Sequence, residues 1–215
     1  MGVYNKGILG PFSGKVGTVV GASWRGKDIL RSLPKKTNRK PTDTQQLQRD
    51  RFTAVSEFLT PISNVVSLYF GSRSREQTRR NQAMSYHMKE AVEYVDPNFE
   101  ILYNKVLISK GDLVGIQNPT VGSPSAGAVE FTWEDNSGQG SAKETDQLVV
   151  VLYAPAEGLY YSMLNAAARN AGAVTLALPD YFVGLQVQSW ITFASATGKS
   201  YATSVYMGAV TISQP

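Results

Sequence analysis

The chain has 215 residues, of which 42% are hydrophobic, enough for a packed core rather than general disorder. It contains no cysteine, which excludes disulfide frameworks, thiolate zinc sites and cysteine nucleophiles. The amino terminus carries no apolar run of signal-peptide length and no stretch of about 18 apolar residues occurs, so we expect neither a signal peptide nor a membrane partner. The chain is predicted to be cytoplasmic or part of an assembled particle or virion.

The net charge of +4 is distributed unevenly along the chain. Residues 1–50 carry +7, residues 51–100 are neutral overall, and residues 101–215 carry −3. This asymmetry predicts that the amino-terminal part meets an anionic surface, either a nucleic acid or the acidic half of another copy. An ordinary solvated basic face is the alternative interpretation.

Residues 1–41 are predicted to form a basic, glycine-rich arm. Its glycines, whose irregular spacing is typical of turns and close backbone approach, stand at positions 2, 7, 10, 14, 17, 21 and 26. Within the arm, residues 17–24 and 28–33 are predicted strands, joined by a turn at 25–27. A lone hairpin is marginally stable, so it needs another sheet, a helix or another subunit to cover its apolar face. Residues 34–41 are predicted to form a basic linker that two prolines keep extended.

Residues 42–103 are predicted to form a helical region. Thr42 fits a helix N-cap and Gln45 completes a capping box, and the first helix should run to about Leu59, before a proline. Arg51 falls inside the apolar arc of this helix. Either its stem lies along apolar surface, or its guanidinium meets a buried carboxylate or a partner group.

A second helix is predicted from about Arg75 to Val95, with Ser74 as its cap and Gln77 at the box position. The apolar stripe of this helix consists of Met84, Met88, Ala91 and Val95. Because the stripe has the spacing of one helix face, it indicates a seam that packs on the core or on a partner. The two helices are expected to form a helical hairpin.

Residues 104–215 are predicted to form an all-β domain. The candidate strands are residues 105–109, 128–134, 147–154, 173–178, 184–194 and 201–212. In the second of these, strict alternation places Val129, Phe131 and Trp133 on one face and two carboxylates on the other. Six or seven short strands in about 110 residues indicate an immunoglobulin-like or fibronectin-type sandwich.

Catalytic motifs are missing from the sequence. The single histidine, His87, lies in the second predicted helix, and nothing nearby supplies the nucleophile and orienting acid of a triad, so we expect a structural role. Residues 14–17 are only superficially similar to a phosphate loop, and no Gly-x-Ser-x-Gly elbow occurs. Glu134, Asp135 and Asp112 would bind a cation weakly at most. We therefore predict no enzyme, catalytic residue, cofactor, metal or small-molecule substrate. A hydrolase with carboxylates meeting from distant loops is a third, separate alternative.

The basic segment is the best functional candidate. It combines cations, which bind the phosphates of a nucleic acid, with an aromatic ring on which a base can stack. The candidate interaction residues are Trp24, Arg25, Lys27, Arg31, Lys35, Lys36, Arg39 and Lys40 in the arm, Arg51 in the first helix, and Arg75, Arg79 and Arg80 in the second. Basic arms also bind acidic faces of neighbouring subunits, and this chain supplies an acidic half.

Three amino-terminal motifs are similar to an uncharacterised bacterial family of domains of unknown function. They are GILGPFSGKVG at residues 7–17, SWRG at 23–26 and RSLPKK at 31–36. The resemblance covers most of the chain, and the family has no established activity to transfer.

Two weaker resemblances concern shorter segments. Residues 38–42, followed by Gln48, Arg49 and Phe52, resemble the Asn-Pro-x-Thr-Pro-x-Gln segment of some small phage structural proteins, although the first proline of that segment is replaced here. The strand segment 131–133 resembles the tryptophan-bearing early strand of a fibronectin type III module, although the later tyrosine-corner spacing is not clean.

The sequence therefore predicts an α+β protein with a β-hairpin arm, a helical hairpin and an Ig-like or fibronectin-type sandwich. Its predicted function is that of a non-catalytic structural or assembly protein, phage-related by resemblance, that binds other copies of itself through the arm. The alternative is a nucleic-acid-binding protein that uses the arm and the arginine-rich second helix.

Overall fold

The computed structural model describes residues 2–3, 12–24, 26–35, 40–72 and 77–214. Within them the chain forms a small amino-terminal sheet, a helical region and a β-sandwich, in that order. This confirms the predicted fold class. No helix of the described part combines the length and apolar character that are needed to cross a bilayer.

The amino-terminal sheet has four antiparallel strands in the order β1-β4-β3-β2. The strands are β1 (Gly2–Val3), β2 (Gly14–Val16), β3 (Val19–Trp24) and β4 (Lys27–Ser32). The central pair, β3 and β4, is the predicted hairpin, with Gly21 opposite Leu30. The outer strands β1 and β2 were not predicted, because segments of two and three residues are too short to show a hydrophobic period.

Helix α1 (Asp43–Leu59) begins where its capping residues predict. The Gln45 N–H donates to Thr42 Oγ1 at 3.4 Å, and the Thr42 N–H donates to Gln45 Oε1 at 3.3 Å, which completes the capping box. The helix ends just before Pro61, which cannot continue it. The buried side chains of α1 are Val55, Phe58 and Leu59. The predicted helix and its boundaries are confirmed.

A short helix that was not predicted, α2 (Ser63–Tyr69), follows, and α3 (Arg79–Glu90) begins later than expected. The N-cap of α3 is Thr78, whose hydroxyl accepts the Asn81 N–H at 3.2 Å, and whose own backbone is extended. The predicted cap at Ser74 and helix start at Arg75 lie outside the described residues.

Helix α3 also ends earlier than predicted. Strand β5 (Val92–Val95) replaces its expected last turn and pairs with β6 (Asn98–Ile101). Tyr94 and Val95 favour strands, and the Tyr94 ring lies 5.1 Å from that of Phe99 across the pair. Of the predicted apolar stripe, Ala91 is buried, Met84 and Met88 are half-buried against the same core, and Val95 is exposed.

The carboxy-terminal half is a sandwich of two antiparallel sheets. Its strands are β7 (Gln117–Gly122), β8 (Ala128–Glu134), β9 (Gln147–Ala154), β10 (Leu159–Met163), β11 (Ala173–Ala177), β12 (Gln186–Ala194) and β13 (Val205–Thr211). One sheet has the order β11-β8-β7 and the other β10-β9-β12-β13. Because the chain crosses from one sheet to the other after β8, after β10 and after β11, the fold is the expected Ig-like or fibronectin-type sandwich.

Two sandwich strands, β7 and β10, were not predicted. Strand β7 contains Pro119, which cannot donate to a neighbouring strand, and this is tolerated because β7 is an edge strand. The pairing of β7 with β8 shifts register between Gln117 and Thr120, so no regular alternation marks this strand in the sequence.

The prediction of a strand at residues 105–109 is wrong, because this segment has an irregular backbone. Three of its backbone N–H groups donate to side chains instead of to a neighbouring strand. The Ile108 and Ser109 N–H groups donate to Ser204 Oγ at 3.0 and 3.4 Å, and the Leu107 N–H donates to His87 Nε2 at 3.3 Å. Val106 and Ile108 are buried without belonging to a sheet.

Two hydrophobic clusters share the four-stranded sheet of the sandwich. One lies between the two sheets, and the other lies between the sheet's outer face and the helices. Phe58 of α1 joins the second cluster, with its ring 5.6 Å from that of Tyr153 and 6.2 Å from that of Trp190. Strands β9 and β12 are consequently buried on both faces. The proposed domain boundaries after residues 41 and 103 stay predictions.

Candidate functional site

The predicted interaction residues fall into described and undescribed parts of the chain. The structure describes Trp24, Lys27, Arg31, Lys35, Lys40, Arg51, Arg79 and Arg80. Arg25, Lys36, Arg39 and Arg75 lie outside the described residues.

Strand register places the cations of the amino-terminal sheet on one face. Residues directly opposite one another in an antiparallel pair share a face. Trp24 is opposite Lys27, and Val20 is opposite Arg31. Strand β2 adds Lys15 opposite Val20. Because every second residue shares a face, this surface, named the basic face, consists of Lys15, Val20, Ala22, Trp24, Lys27, Ile29 and Arg31.

The basic face is small and has an apolar centre. Neighbouring strands lie about 4.8 Å apart, so the Cα atoms of Lys15 and Arg31, two strands apart, are separated by about 10 Å. Trp24 is 50% exposed and the three cations are exposed, whereas Ile29 is buried. The face thus offers a half-exposed indole beside Lys27 at one end, with Lys15 and Arg31 at the other end.

The opposite face of the same sheet is different. A Cβ atom at Gly21 would lie 2.3 Å from the Phe12 carbonyl oxygen, so the chain at Phe12 crosses the sheet where no side chain stands. Asp28 is opposite Ser23 on this face. The described strands of the sheet therefore separate their three cations from their one carboxylate. Among the described residues, no carboxylate forms an ion pair with a cation of the basic face. The ion pair in the described part of the chain joins Arg169 and Asp146, in the sandwich.

The helical arginines do not extend this face into a continuous basic surface. Arg51 of α1 is half-buried, and its Nε is buried without a hydrogen-bond partner. Of the two predicted alternatives for Arg51, pairing with a buried carboxylate is not found among the described residues. Arg80 Nη2 donates to Thr60 Oγ1 at 3.1 Å beside a groove between α1 and α3. Arg79 lines a different cleft, between the helices and the sandwich.

His87 is fully buried and both of its ring nitrogens are engaged. Nδ1 lies 2.8 Å from the Ala83 carbonyl oxygen and donates to it, while Nε2 accepts the Leu107 N–H at 3.3 Å. Burial lowers the pKa of His87 below its usual value, which favours the neutral ring that this arrangement requires. The imidazole connects α3 to the irregular segment after it, as a structural histidine would.

Of the three carboxylates considered for weak cation binding, Glu134 and Asp135 accept hydrogen bonds from neighbouring polar groups, and Asp112 lines the cleft. Glu134 accepts a hydrogen bond from Asn118 Nδ2 at 2.8 Å. Asp135 accepts from the Ser137 N–H at 2.9 Å, and hydrogen bonds from Ser137 lower the pKa of this carboxyl. Within the described ranges, no three His, Cys, Asp or Glu side chains lie close enough together to hold a metal ion.

Sequence reasoning missed two groups of residues. Lys15 belongs to the basic face, but β2 is too short for its alternation to be recognised. Lys110 and Lys199 lie with Arg79 in the cleft. No sequence signal connects these three, because they are distant along the chain and meet only through the tertiary fold.

The described strands and helices define an α+β protein with a fibronectin-type sandwich. The chain belongs to the Family of unknown function (DUF6266), whose model matches residues 11–208. The amino-terminal resemblance to a family of unknown function is thereby confirmed. No curated protein matches the chain.

Solved structures with similar folds are fibronectin type III domains. The fn3 domain of the human collagen alpha-1(XX) chain is 14% identical, with 48% of this chain and 88% of that chain covered and a TM-score of 0.35. The FN1-FN3 domains of chicken CNTN1 are 12% identical, with a TM-score of 0.39. The match covers 49% of this chain and 35% of the chicken chain.

Proposed function

We propose that the protein is a non-catalytic structural or assembly protein, phage-related as its linker resemblance implies, that self-associates through the basic face. One observation carries this proposal. Among the described residues, neither hydrophobic cluster includes a residue of the amino-terminal sheet. A small sheet needs a second layer for stability, and another copy of the chain would supply it.

Exposed apolar side chains support an interaction through the amino-terminal sheet. Of those on its strands, Trp24 lies on the basic face, whereas Val16 and Val19 lie opposite each other on the other face. The large exposed ones at this end of the chain are Phe12, Val16, Val19, Trp24 and Leu33. Val16 is 63% exposed, more than any other large hydrophobic residue described. Scattered exposed apolar residues are ordinary, but a concentration of them in one small sheet is typical of an interaction site.

Charge complementarity indicates where on a second copy the sheet would bind. Residues 101–215 carry a net charge of −3. The outer face of the three-stranded sheet presents Glu130 and Glu134 beside Thr132, whose hydroxyl lies 2.6 Å from that of Thr120. A basic face and an acidic face on one chain favour head-to-tail contact between copies.

Sedimentation analysis of the full-length protein over a concentration series tests the proposal. We expect reversible association that weakens as salt is raised, because the contact is between opposite charges. The variant K15E/R31E should be monomeric at concentrations where the parent associates. The control K89E/K105E changes the same charge on exposed lysines of the helical region and its border and should associate like the parent. A parent that stays monomeric up to about 1 mM contradicts the proposal.

Nucleic-acid binding is the second candidate, favoured by the position of Trp24 on the same face as the three cations. An indole beside phosphate-binding cations suits single strands, whose bases stack on aromatic rings. Fluorescence anisotropy with labelled single-stranded DNA and RNA tests it. If three phosphates are neutralised, the logarithm of the binding constant should fall with log[salt] at a slope of about −2. Trp24→Ala should weaken binding, and binding without salt dependence, or none, would reject this candidate.

A further inference from the structure

We propose that the cleft between the helices and the sandwich binds a small anion of the phosphate-ester class. The cleft has a volume of about 860 Å³ and shares no residue with the basic face. Among its lining residues are Arg79, Lys110, Lys199, Asp112, Tyr86 and Tyr201. Its size falls within the range of small-molecule sites.

The charges that converge in the cleft are mostly positive. Arg79, Lys110 and Lys199 come from the start of α3, the irregular segment before the sandwich and the turn between β12 and β13. The one carboxylate of the lining is Asp112, and no ion pair among the described residues engages any of these cations. Three like charges in one concave surface repel one another, and a bound anion relieves this repulsion.

The Arg79 guanidinium is already oriented. Its Nη1 donates to the Leu68 carbonyl, and its central carbon lies 5.0 Å from the centre of the Tyr201 ring. Its Nε is buried without a hydrogen-bond partner in the described chain. Among the described residues no hydrogen bond engages Nη2, which can therefore donate to a ligand. A side chain that is fixed in advance loses little entropy on binding.

Lys110 is likewise fixed at its backbone and directed by an aromatic ring. Its N–H donates to the Tyr69 carbonyl at 3.0 Å, and its carbonyl accepts the Gly71 N–H at 2.8 Å. Its ammonium lies 5.4 Å from the centre of the Tyr86 ring. Two cations of the cleft thus each lie over a tyrosine ring, which holds the charge at the surface of the cleft.

Backbone contacts make the floor of the cleft a built surface. A Cβ atom at Gly111 would lie 2.1 Å from the Tyr201 carbonyl oxygen, so the two backbones meet where only glycine fits. The Leu113 N–H donates to the same carbonyl at 3.1 Å, and the Thr203 hydroxyl donates to the Gly111 carbonyl at 3.2 Å. The backbone next to Lys110 is therefore held in place against that of Tyr201.

Phosphate fits this arrangement better than a single carboxylate does. A phosphate has three terminal oxygens and up to two charges, which three separate cations can share, and guanidinium groups bind it with directed hydrogen bonds. The tyrosine rings and Leu113 add apolar surface beside the charges. We therefore assign the ligand to phosphate esters, with the organic part against the rings.

Isothermal titration calorimetry of the full-length protein with phenyl phosphate, at low ionic strength, tests the site. We expect the variant K110Q/K199Q to weaken binding by about tenfold or more, and Asp112→Asn to strengthen it, because the first removes attraction and the second removes repulsion. The control K89Q/K105Q removes the same charge from exposed lysines outside the cleft and should bind like the parent.

Three results would overturn the assignment. These are no binding of phenyl phosphate at millimolar concentration, equal affinity in the parent and K110Q/K199Q, and an equal loss in the control variant. Inorganic phosphate serves as the second probe. Weaker binding of inorganic phosphate than of phenyl phosphate supports the ester class, whereas equal affinity contradicts it. None of these outcomes depends on whether the protein self-associates.

Discussion

The amino-terminal sheet and the sandwich are both built from paired antiparallel strands, yet they bury their side chains to opposite extents. Strands β9 and β12 of the sandwich lie between the second sheet and the helices and are buried on both faces. In β3 and β4 only Gly21 and Ile29 are buried. Strand pairing alone therefore does not determine burial. Burial depends on the layers that cover a sheet. The four-stranded sheet of the sandwich has a hydrophobic cluster on each of its faces, whereas the described part of the amino-terminal sheet belongs to neither cluster.

The same contrast holds for cations. Lys15, Lys27 and Arg31 face solvent, whereas Arg169 is fully buried in the sandwich. Arg169 Nη2 and Nε both contact Asp146 Oδ2 at 3.1 Å, and its guanidinium lies 4.0 Å from the centre of the Phe193 ring. Burial lowers the pKa of Arg169 and the Asp146 charge opposes that shift. Arg169 is thus part of the core, whereas the three cations of the basic face are exposed.

Arg169→Met should have the largest effect on stability. It leaves Asp146 buried without its partner and removes donors to Asn136 and to the Val114 carbonyl. Loss of one member of a buried pair costs about 3–5 kcal/mol. Urea unfolding measures the change, and the double variant R169M/D146L should recover part of the loss because it removes the orphaned charge. If Arg169→Met is as stable as the parent, the buried cation contributes no more to stability than an exposed one, which contradicts this comparison.

Phe58→Ala should cause the second-largest loss of stability. It removes the ring that joins α1 to the sandwich, and a buried phenylalanine contributes about 3 kcal/mol or more. We expect the lower end of this range, because Tyr153 and Tyr160 beside the ring are only half-buried and can relax. The matched control is Phe52→Ala on the exposed side of the same helix. If the two variants are equally stable to urea, α1 does not serve as a covering layer of the sandwich.

The change in unfolding free energy with pH should be smaller than the effects of these two substitutions, and part of it should come from His87. Its folded pKa is lowered, so the unfolded state binds more protons and stability falls as pH drops below the unfolded value of about 6.5. The slope is at most about 1.4 kcal/mol per pH unit. Between about pH 5.5 and 7.5, the His87→Gln variant should show a flatter curve of unfolding free energy. Equal slopes in parent and variant would contradict a buried neutral ring.

The tyrosines in the hydrophobic cluster between the four-stranded sheet and the helices should not contribute to this pH dependence of stability. Burial is the main cause that raises the pKa of Tyr103 to about 12, and it also raises the pKa of Tyr160. Both hydroxyls therefore stay neutral across the range in which His87 titrates. The pH experiment consequently reports on the imidazole within this cluster.

Trp24→Ser should have the smallest effect on stability. Half of the indole is exposed and it belongs to neither hydrophobic cluster, so we expect a change within about 0.5 kcal/mol for the monomer. The comparison is Trp133→Ser, which empties a buried site in the sandwich and should cost several times more. Dilute samples and urea unfolding keep association out of the measurement. A large loss from Trp24→Ser would mean that the indole is part of a core.

Local signals in the sequence predicted those elements whose own residues specify them. The Thr42–Gln45 capping box located the start of α1, and strict alternation located β8 to the residue. By contrast, the predicted helix end at Val95 and the strand at 105–109 failed, because hydrogen bonds to distant groups and a competing hairpin decided those segments. The candidate site was predicted in part, since Trp24, Lys27 and Arg31 do share a face while Lys15 was missed.

The sequence by itself determined the order of arm, helices and sandwich, the family to which the chain belongs and the uneven charge, since these depend on composition, caps and short-range periodicity. Only the tertiary structure decided which cations meet. Strand register placed Lys15 with Arg31, and the packing of helices on the sandwich placed Arg79 with Lys110 and Lys199. Such meetings depend on long-range packing and on a one-residue register choice, which no local pattern encodes.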